Sequence, residues 1–325
     1  MIFDKYDGPL TPATYVWAQE AYEAVIRNPW SYREPNMTSD ISDWKDNIPE
    51  VDKEAIAGIL LGFTELEKTI GAYWRDLSTL FSYPELVAVC SAFAYSETIH
   101  GYGYKHLEDT LGLNTYEKMN TNVYAQSKLA HFSLPSETPI EQLPFQISLL
   151  SGCGEGVSLF SSFAILLSYR KAGYLKGLGQ ILSWSIRDEN LHSDTAAMLF
   201  KELCKDFPDC KPTEEQVNEA FYQSYEIEKA FVKDALAGDN LMNIDYNNVR
   251  NFLRARCNDR LATLGYYDPL FMPDETKNNI EDWFYPMALG TTKIDFFAEA
   301  HNGGAYSATA GSDLEGFDFS NLVSG

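Results

Sequence analysis

Glu155 sits between Gly154 and Gly156 in the apolar stretch SLLSGCGEGVSLFSSFAILL, residues 148–167. The stretch reads as part of one long helix, from about Glu141 to Tyr169, and its many small residues mark it for burial against close neighbours. No solvated face is open to that carboxylate. A buried charge needs an ionic partner or a metal. Any fold of this chain must therefore bring counter-charges to the middle of an apolar helix.

The rest of the chain supplies more helices. Residues 1–50 are rich in Pro, Asn and Asp apart from a helix-like stretch over 13–27. From Lys53, VDKEAIAGILLGFTELEKTIGAYWRDL has apolar residues at three- and four-residue spacing, with Asp52 as its expected N-cap. Pro84 suits the first turn of a helix over 85–110. Further helices are expected over 114–131, 173–206, 214–237, 245–264 and 280–289, with breaks at LPSETP and KDFPDCKPT. No strand pattern of comparable length and no internal repeat occurs. The expectation is an all-α fold, residues 1–304 forming a single domain with an N-terminal extension. The small, polar, acidic stretch 305–325 is expected to be a disordered tail.

Charge and cysteine usage narrow the function. A net charge of −22 and a pI near 4.5 repel phosphate backbones, so nucleic acid is not an expected partner. No run of about 18 apolar residues marks a membrane span, and MIFDKYDGPLT lacks the basic and apolar regions of a secretory signal. Five scattered Cys without a CxxC fit reduced thiols and a cytoplasmic location. No glycine-rich phosphate loop of the GxxxxGK[ST] type is present, so no nucleotide site is expected.

Two helices repeat one pattern. Glu97 and His100 stand three apart in YSETIH, and Glu189 and His192 stand three apart in RDENLH. That spacing puts a carboxylate and an imidazole on one helical face, where both reach the same metal. Glu67, in GFTELEKTIG, and Glu155 add single carboxylates from two other helices. Two Glu-x-x-His pairs plus two lone carboxylates are the ligand set of a helix-bundle dinuclear site. One Glu-x-x-His pair arises readily by chance in so acidic a chain. Two pairs in apolar helical text carry more weight, and against satisfied core polar groups they stand about even.

At these residues the sequence resembles the small (beta) subunits of class I ribonucleotide reductases. Ser96-Glu97-Thr98-Ile99-His100 with Tyr104 looks like one family signature, and Arg187-Asp188-Glu189-Asn190-Leu191-His192 like another. The 34 residues from Glu155 to Glu189 are also family-like, and the resemblance runs from about Trp30 to Tyr306. It implies a ferritin-like bundle with additional helices. Glu67, Glu97 and His100 would bind one metal, and Glu155, Glu189 and His192 the other. Tyr104 would be the radical-bearing tyrosine. Trp30 would begin a radical pathway, and Asp188 would hydrogen-bond His100 and link it towards Trp30. Tyr306 would pass the radical on, and the last residues would dock the large (alpha) subunit. Without the resemblance, each of these aromatics reads as ordinary core or surface.

One position departs from the family. The first ligand there is usually Asp, whereas here Glu67 is taken as the ligand. Leu66 holds the gap-free position and cannot bind a hard cation. Glu in this slot resembles manganese-using subgroups. The manganese/iron group typically has Phe where this chain keeps Tyr104. The combination points to two manganese ions activated by superoxide, with two iron ions or a manganese/iron pair as alternatives. The resemblance also implies a homodimer. Two rival readings are a stand-alone ferritin-like oxidase, which needs neither Trp30 nor a docking tail, and a metal-storing or structural helical protein.

Overall fold

The structure is a computed structural model, and it describes residues 1–113, 123–133, 139–236, 242 and 244–289. Helix α1 (Val16–Arg27) opens the fold. Its first turn has no cap of its own, and Glu85 accepts the N–H groups of Thr14 and Tyr15 instead, both at 2.8 Å. A short α2 (Thr38–Asp46) follows, which the sequence pattern does not announce. Two long helices come next, α3 (Glu50–Ser78) and α4 (Pro84–Leu111). Helix α3 begins after Pro49, two residues before the expected cap. Asp52 lies inside its first turn, buried, and accepts the Tyr169 hydroxyl. Pro84 does occupy the first turn of α4, and Gly112, at φ 70°, closes that helix in the left-handed region.

Of the helix expected over 114–131, the described part is α5 (Val123–His131). The single helix expected over 141–169 is instead built from three kinds of turn. A 3₁₀ turn over Ile140–Gln142 leads into α6 (Leu143–Ile147), a π-helical segment (Ser148–Ser158) and α7 (Phe160–Lys171). Helix α8 (Lys176–Asp206) is the longest. Its start is tied down from outside: Asp40 of α2 accepts from Gly177 and Leu178 N–H, and Asp43 from Leu175 N–H. Helix α9 (Glu214–Ala235) starts with a capping box formed by Thr213 and Gln216. Helices α10 (Tyr246–Leu264) and α11 (Glu281–Leu289) complete the described chain. Among the described residues there is no strand.

The core is a bundle of α3, α4, the π segment with α7, and α8, with α9 and α10 packed against the π segment. The run Ile140–Lys171 is long and apolar enough to cross a membrane by length and composition, which the sequence reading did not expect. Its apolar window is 94% buried inside the bundle. Large rings fill the surroundings, with Trp74, Phe93, Tyr104 and Phe163 all fully buried. Gly156, beside the acid, marks one close approach. A Cβ there would lie 2.9 Å from both Arg260 Cδ and Ser193 Oγ, so glycine lets the side chains of α8 and α10 pack directly on the π segment.

Candidate metal centre

Four elements each aim acids at one point in the bundle. Glu67 comes from α3, Glu97 and His100 from α4, Glu155 from the π segment, and Glu189 and His192 from α8. All six are buried, none more than 1% exposed. Their ligand atoms fall into two groups, Glu67–Glu97–His100–Glu189 and Glu97–Glu155–Glu189–His192, with atoms within 4.8 Å of one another in each. Glu97 and Glu189 belong to both. Leu66 is buried among apolar residues and contributes nothing here.

The imidazoles face inward through Nδ1. His100 Nδ1 lies 2.9 Å from Glu189 Oε1 and 3.2 Å from Glu97 Oε2. His192 Nδ1 lies 2.6 Å from Glu97 Oε1, without hydrogen-bonding geometry, and 3.5 Å from Glu189 Oε2. Both oxygens of Glu67 and of Glu189 and both ring nitrogens of His192 are buried without a hydrogen-bond partner. Stranded donors and acceptors in a closed interior are costly. So many oxygen and imidazole atoms converging without partners fit a pair of hard divalent cations.

Electrostatics show the same demand. Burial, reinforced by Glu189 and Glu97, pushes the Glu67 carboxyl well above the usual carboxylate range. Burial lifts Glu155 to about 7, although His192 opposes it. For Glu97, burial is outweighed by His192 and His100, which hold it far below the usual range. Burial also works against charged imidazoles, but Glu189 and Glu97 outweigh it at His100, as Glu97, Glu155 and Glu189 do at His192, and both rings are held well above the usual histidine value. Cations close to these acids are what the arrangement favours.

The outer side of His100 is also occupied. Its Nε2 lies 3.3 Å from Asp188 Oδ2, and the Trp30 indole N–H donates to that same oxygen at 2.8 Å. Arg187 Nε donates to Asp188 Oδ1 at 3.3 Å. Burial opposes charge on Asp188, but Arg187, His100 and Trp30 outweigh it and lower its pKa. Tyr104, one turn beyond His100, is wholly buried, with its ring 4.9 Å from Phe63. Burial, then Glu67 and Glu189, raise its pKa well above the usual phenol value, so its hydroxyl keeps its proton. Tyr306 and the tail 305–325 lie outside the described residues.

Two contributors escape a reading of the sequence. The Trp74 indole N–H donates to Glu155 Oε1 at 2.6 Å. Its only signal is a position seven residues, two helical turns, after Glu67 on the same face. Arg256, on α10, donates to the Gly156 carbonyl at 2.6 Å and to Asn190 Oδ1 at 2.9 Å, and its guanidinium lies 3.6 Å from the centre of the Phe160 ring. It supports both ligand-bearing segments from behind. On the α3–α4 side, a cavity of about 1490 Å³ reaches Glu67 and Glu97 past Gly71, Tyr95 and Gly101.

Helical bundle and paired carboxylate–imidazole site together define a dinuclear carboxylate protein. The sequence matches the family described as "Ribonucleotide reductase, small chain" over residues 9–279, and the chain belongs to that family. It is 28% identical over 308 residues to the "Probable ribonucleoside-diphosphate reductase small subunit 048L" of Invertebrate iridescent virus 3, covering 88% of this chain and 81% of that one. The fold is similar to a putative class I ribonucleotide reductase from Bacillus halodurans, with TM-score 0.77 at 20% identity over 84% of this chain and 100% of that one. It is also similar to the dimanganese(II)-NrdF of Streptococcus sanguinis, with TM-score 0.72 at 21% identity over 85% and 98%. Small subunits of this family are homodimers with a dinuclear metal site, and they act with a large subunit. The chain is thus an oxidoreductase subunit in the reduction of ribonucleotides to deoxyribonucleotides.

Proposed function

We propose that Glu67, Glu97, His100, Glu155, Glu189 and His192 would hold two manganese ions. The carrying observation is that these side chains form two overlapping groups sharing Glu97 and Glu189. The longer Glu67 side chain, in a slot where relatives usually have Asp, favours manganese over two iron ions or a manganese/iron pair. When bound, the pair supplies a one-electron oxidant. The protein's part is to hold that oxidant dry and to lead it out. Asp188 fixes the His100 tautomer through Nε2, leaving Nδ1 for the metal side. The same carboxylate takes the proton of the Trp30 indole when Trp30 is oxidised. Tyr104 is a protonated phenol close to the ligands. The tail, with Tyr306, carries the equivalent to the large subunit and docks it.

The test is metal analysis with electron paramagnetic resonance on protein loaded with manganese and treated with superoxide. A multiline manganese signal tied to turnover with the large subunit supports the assignment. A sharp tyrosyl signal obtained only with iron and oxygen overturns it and makes Tyr104 the store. Deleting residues 307–325 abolishes partner-dependent turnover while metal binding survives. Normal turnover of the truncated protein refutes the docking role.

A further inference from the structure

Near the end of α7, the start of α10 and the body of α11 lies an open cavity of about 330 Å³. Ile280 and Trp283 form its apolar wall. Lys171, the last residue of α7, lies over the Trp283 ring at 4.8 Å, and among the described residues it has no acidic partner. Asp245, which caps α10, has no cationic partner among them. Asn248 and Asn279 line the same cavity, and among the described residues no hydrogen bond occupies either side-chain amide. The size is at the low end for ligand pockets, about 300–1,000 Å³, and suits a few side chains of a peptide rather than a folded partner.

The described chain ends beside this cavity. Trp283 precedes Leu289 by six residues, about 9 Å along α11 at a rise of about 1.5 Å per residue. About three extended residues cover that distance. Beyond Leu289 the sequence reads Gly290-Thr291-Thr292 and then KIDFFAE over 293–299, all outside the described residues. In extended backbone Lys293, Asp295 and Phe297 share one face. That face carries a cation, an anion and a ring, and the cavity offers Asp245, Lys171 and the Ile280–Trp283 wall in return.

We propose that this cavity holds residues 293–299 of the same chain while the subunit is free of its partner. Asp295 meets Lys171, Lys293 meets Asp245, and Phe297 packs on Ile280 and Trp283. Asn248 and Asn279 supply both donors and acceptors to the backbone of the segment. The charged contacts are open to solvent and individually weak, so the segment is held reversibly. Holding it shortens the free chain that follows. On the reading above that the tail docks the large subunit, docking draws the segment out of the cavity.

Amide hydrogen exchange on the full chain, without the large subunit, tests this. Amides of residues 294–299 are expected to exchange about tenfold more slowly than in a synthetic peptide of residues 290–300. Lys171→Glu and Asp295→Lys each lower that protection about three- to fivefold, the most that an exposed pair contributes. The double variant, with the charges exchanged, restores it. Lys171 is exposed, and an unchanged urea midpoint shows that its variant remains folded. Exchange at the free-peptide rate in the unaltered protein overturns the proposal, as does protection indifferent to both charge reversals. Protection that falls on about hundredfold dilution also overturns it, because the segment of another copy then fills the cavity. Adding the large subunit separates the two readings. Loss of protection supports both, whereas protection that survives refutes release by docking and leaves the cavity assignment in place.

Discussion

Lys128 on α5 and Glu228 on α9 form an ion pair of 2.7 Å inside the protein, at 5% and 0% exposure. Lys128 also donates to the Ser158 carbonyl at 3.1 Å, at the end of the π segment, and lies 4.4 Å from the Phe231 ring centre. Ser161 donates to the other oxygen of Glu228 at 2.8 Å. Replacing Lys128 with Met keeps most of the volume but leaves a buried carboxylate supported only by neutral hydroxyls, Ser161 and Ser158. Breaking one side of a buried pair costs about 3–5 kcal/mol. That cost depends on pH. Burial already raises the Glu228 pKa, and Lys128 is the largest influence opposing it. Without Lys128 the folded pKa rises further, so the folded state prefers protonated Glu228. The variant then loses little near the unfolded carboxylate pKa and progressively more as pH rises towards the folded value. Urea unfolding at fixed protomer concentration, at pH 5 and pH 8, reads this directly. Lys128→Met is expected to lose the full amount at pH 8 and clearly less at pH 5. Replacing Glu228 with Leu as well recovers most of the loss at pH 8. A loss under about 1 kcal/mol at pH 8, or an equal loss at both pH values, shows that the pair does not carry this charge.

Trp74→Phe removes the bond to Glu155 but keeps a ring in place. Metal affinity, by competition with a chelator, should fall about 10–100-fold. Gly156→Ala presses on Arg260 and Ser193 and should destabilise by about 1–3 kcal/mol in thermal or urea unfolding. Glu20, half-buried on α1, has its pKa raised to about 7 by burial and by Glu23. A raised carboxyl favours the fold below its unfolded value and loses that contribution as pH passes about 7. Glu20→Gln should therefore gain about 1 kcal/mol at pH 8 and little at pH 5, after allowance for solvent screening. Equal unfolding midpoints at both pH values would contradict this.

The long helices were legible because three- and four-residue spacing survives along α3, α8 and α9. What sequence periodicity missed has specific causes. Helix α2, TSDISDWKD, buries only Asp40 and has no apolar stripe to read. Its packing role is to deliver Asp40 and Asp43 to the start of α8. Asp52 looked like a cap because acids favour both the cap and the first turn, and Pro49 moved the start upstream. The stretch 148–158 reads as ordinary helix because small residues leave the difference between α and π winding unmarked. In the site, the Glu-x-x-His pairs were readable from spacing, and Glu67 could be separated from Leu66 by ligand chemistry alone. Trp74 and Arg256 could not be found that way. A tryptophan in an apolar helix and an arginine in a polar one look like core and surface until the fold brings them to Glu155 and Gly156.

The π winding explains how Glu155 can exist where it does. A π turn shifts backbone bonds by one residue and disturbs the regular α ladder at its ends. Two of the carbonyls there, Gly156 and Ser158, are met by cationic side chains, Arg256 and Lys128. Both cations come from helices outside the four that carry the ligands. They add positive charge behind a segment whose own carboxylate is held up to about 7 by burial. Trp74, on α3, adds a neutral donor to the carboxylate itself. The acid in this apolar stretch therefore has one direct donor, Trp74, and two cations on the carbonyls of its own segment. What those supports leave unmet is Glu155 Oε2, together with the oxygens of Glu67 and Glu189, and all of these residues belong to the two overlapping groups of ligand atoms. The surrounding bundle stabilises the backbone of this site, and cations held by the carboxylates would satisfy its side chains.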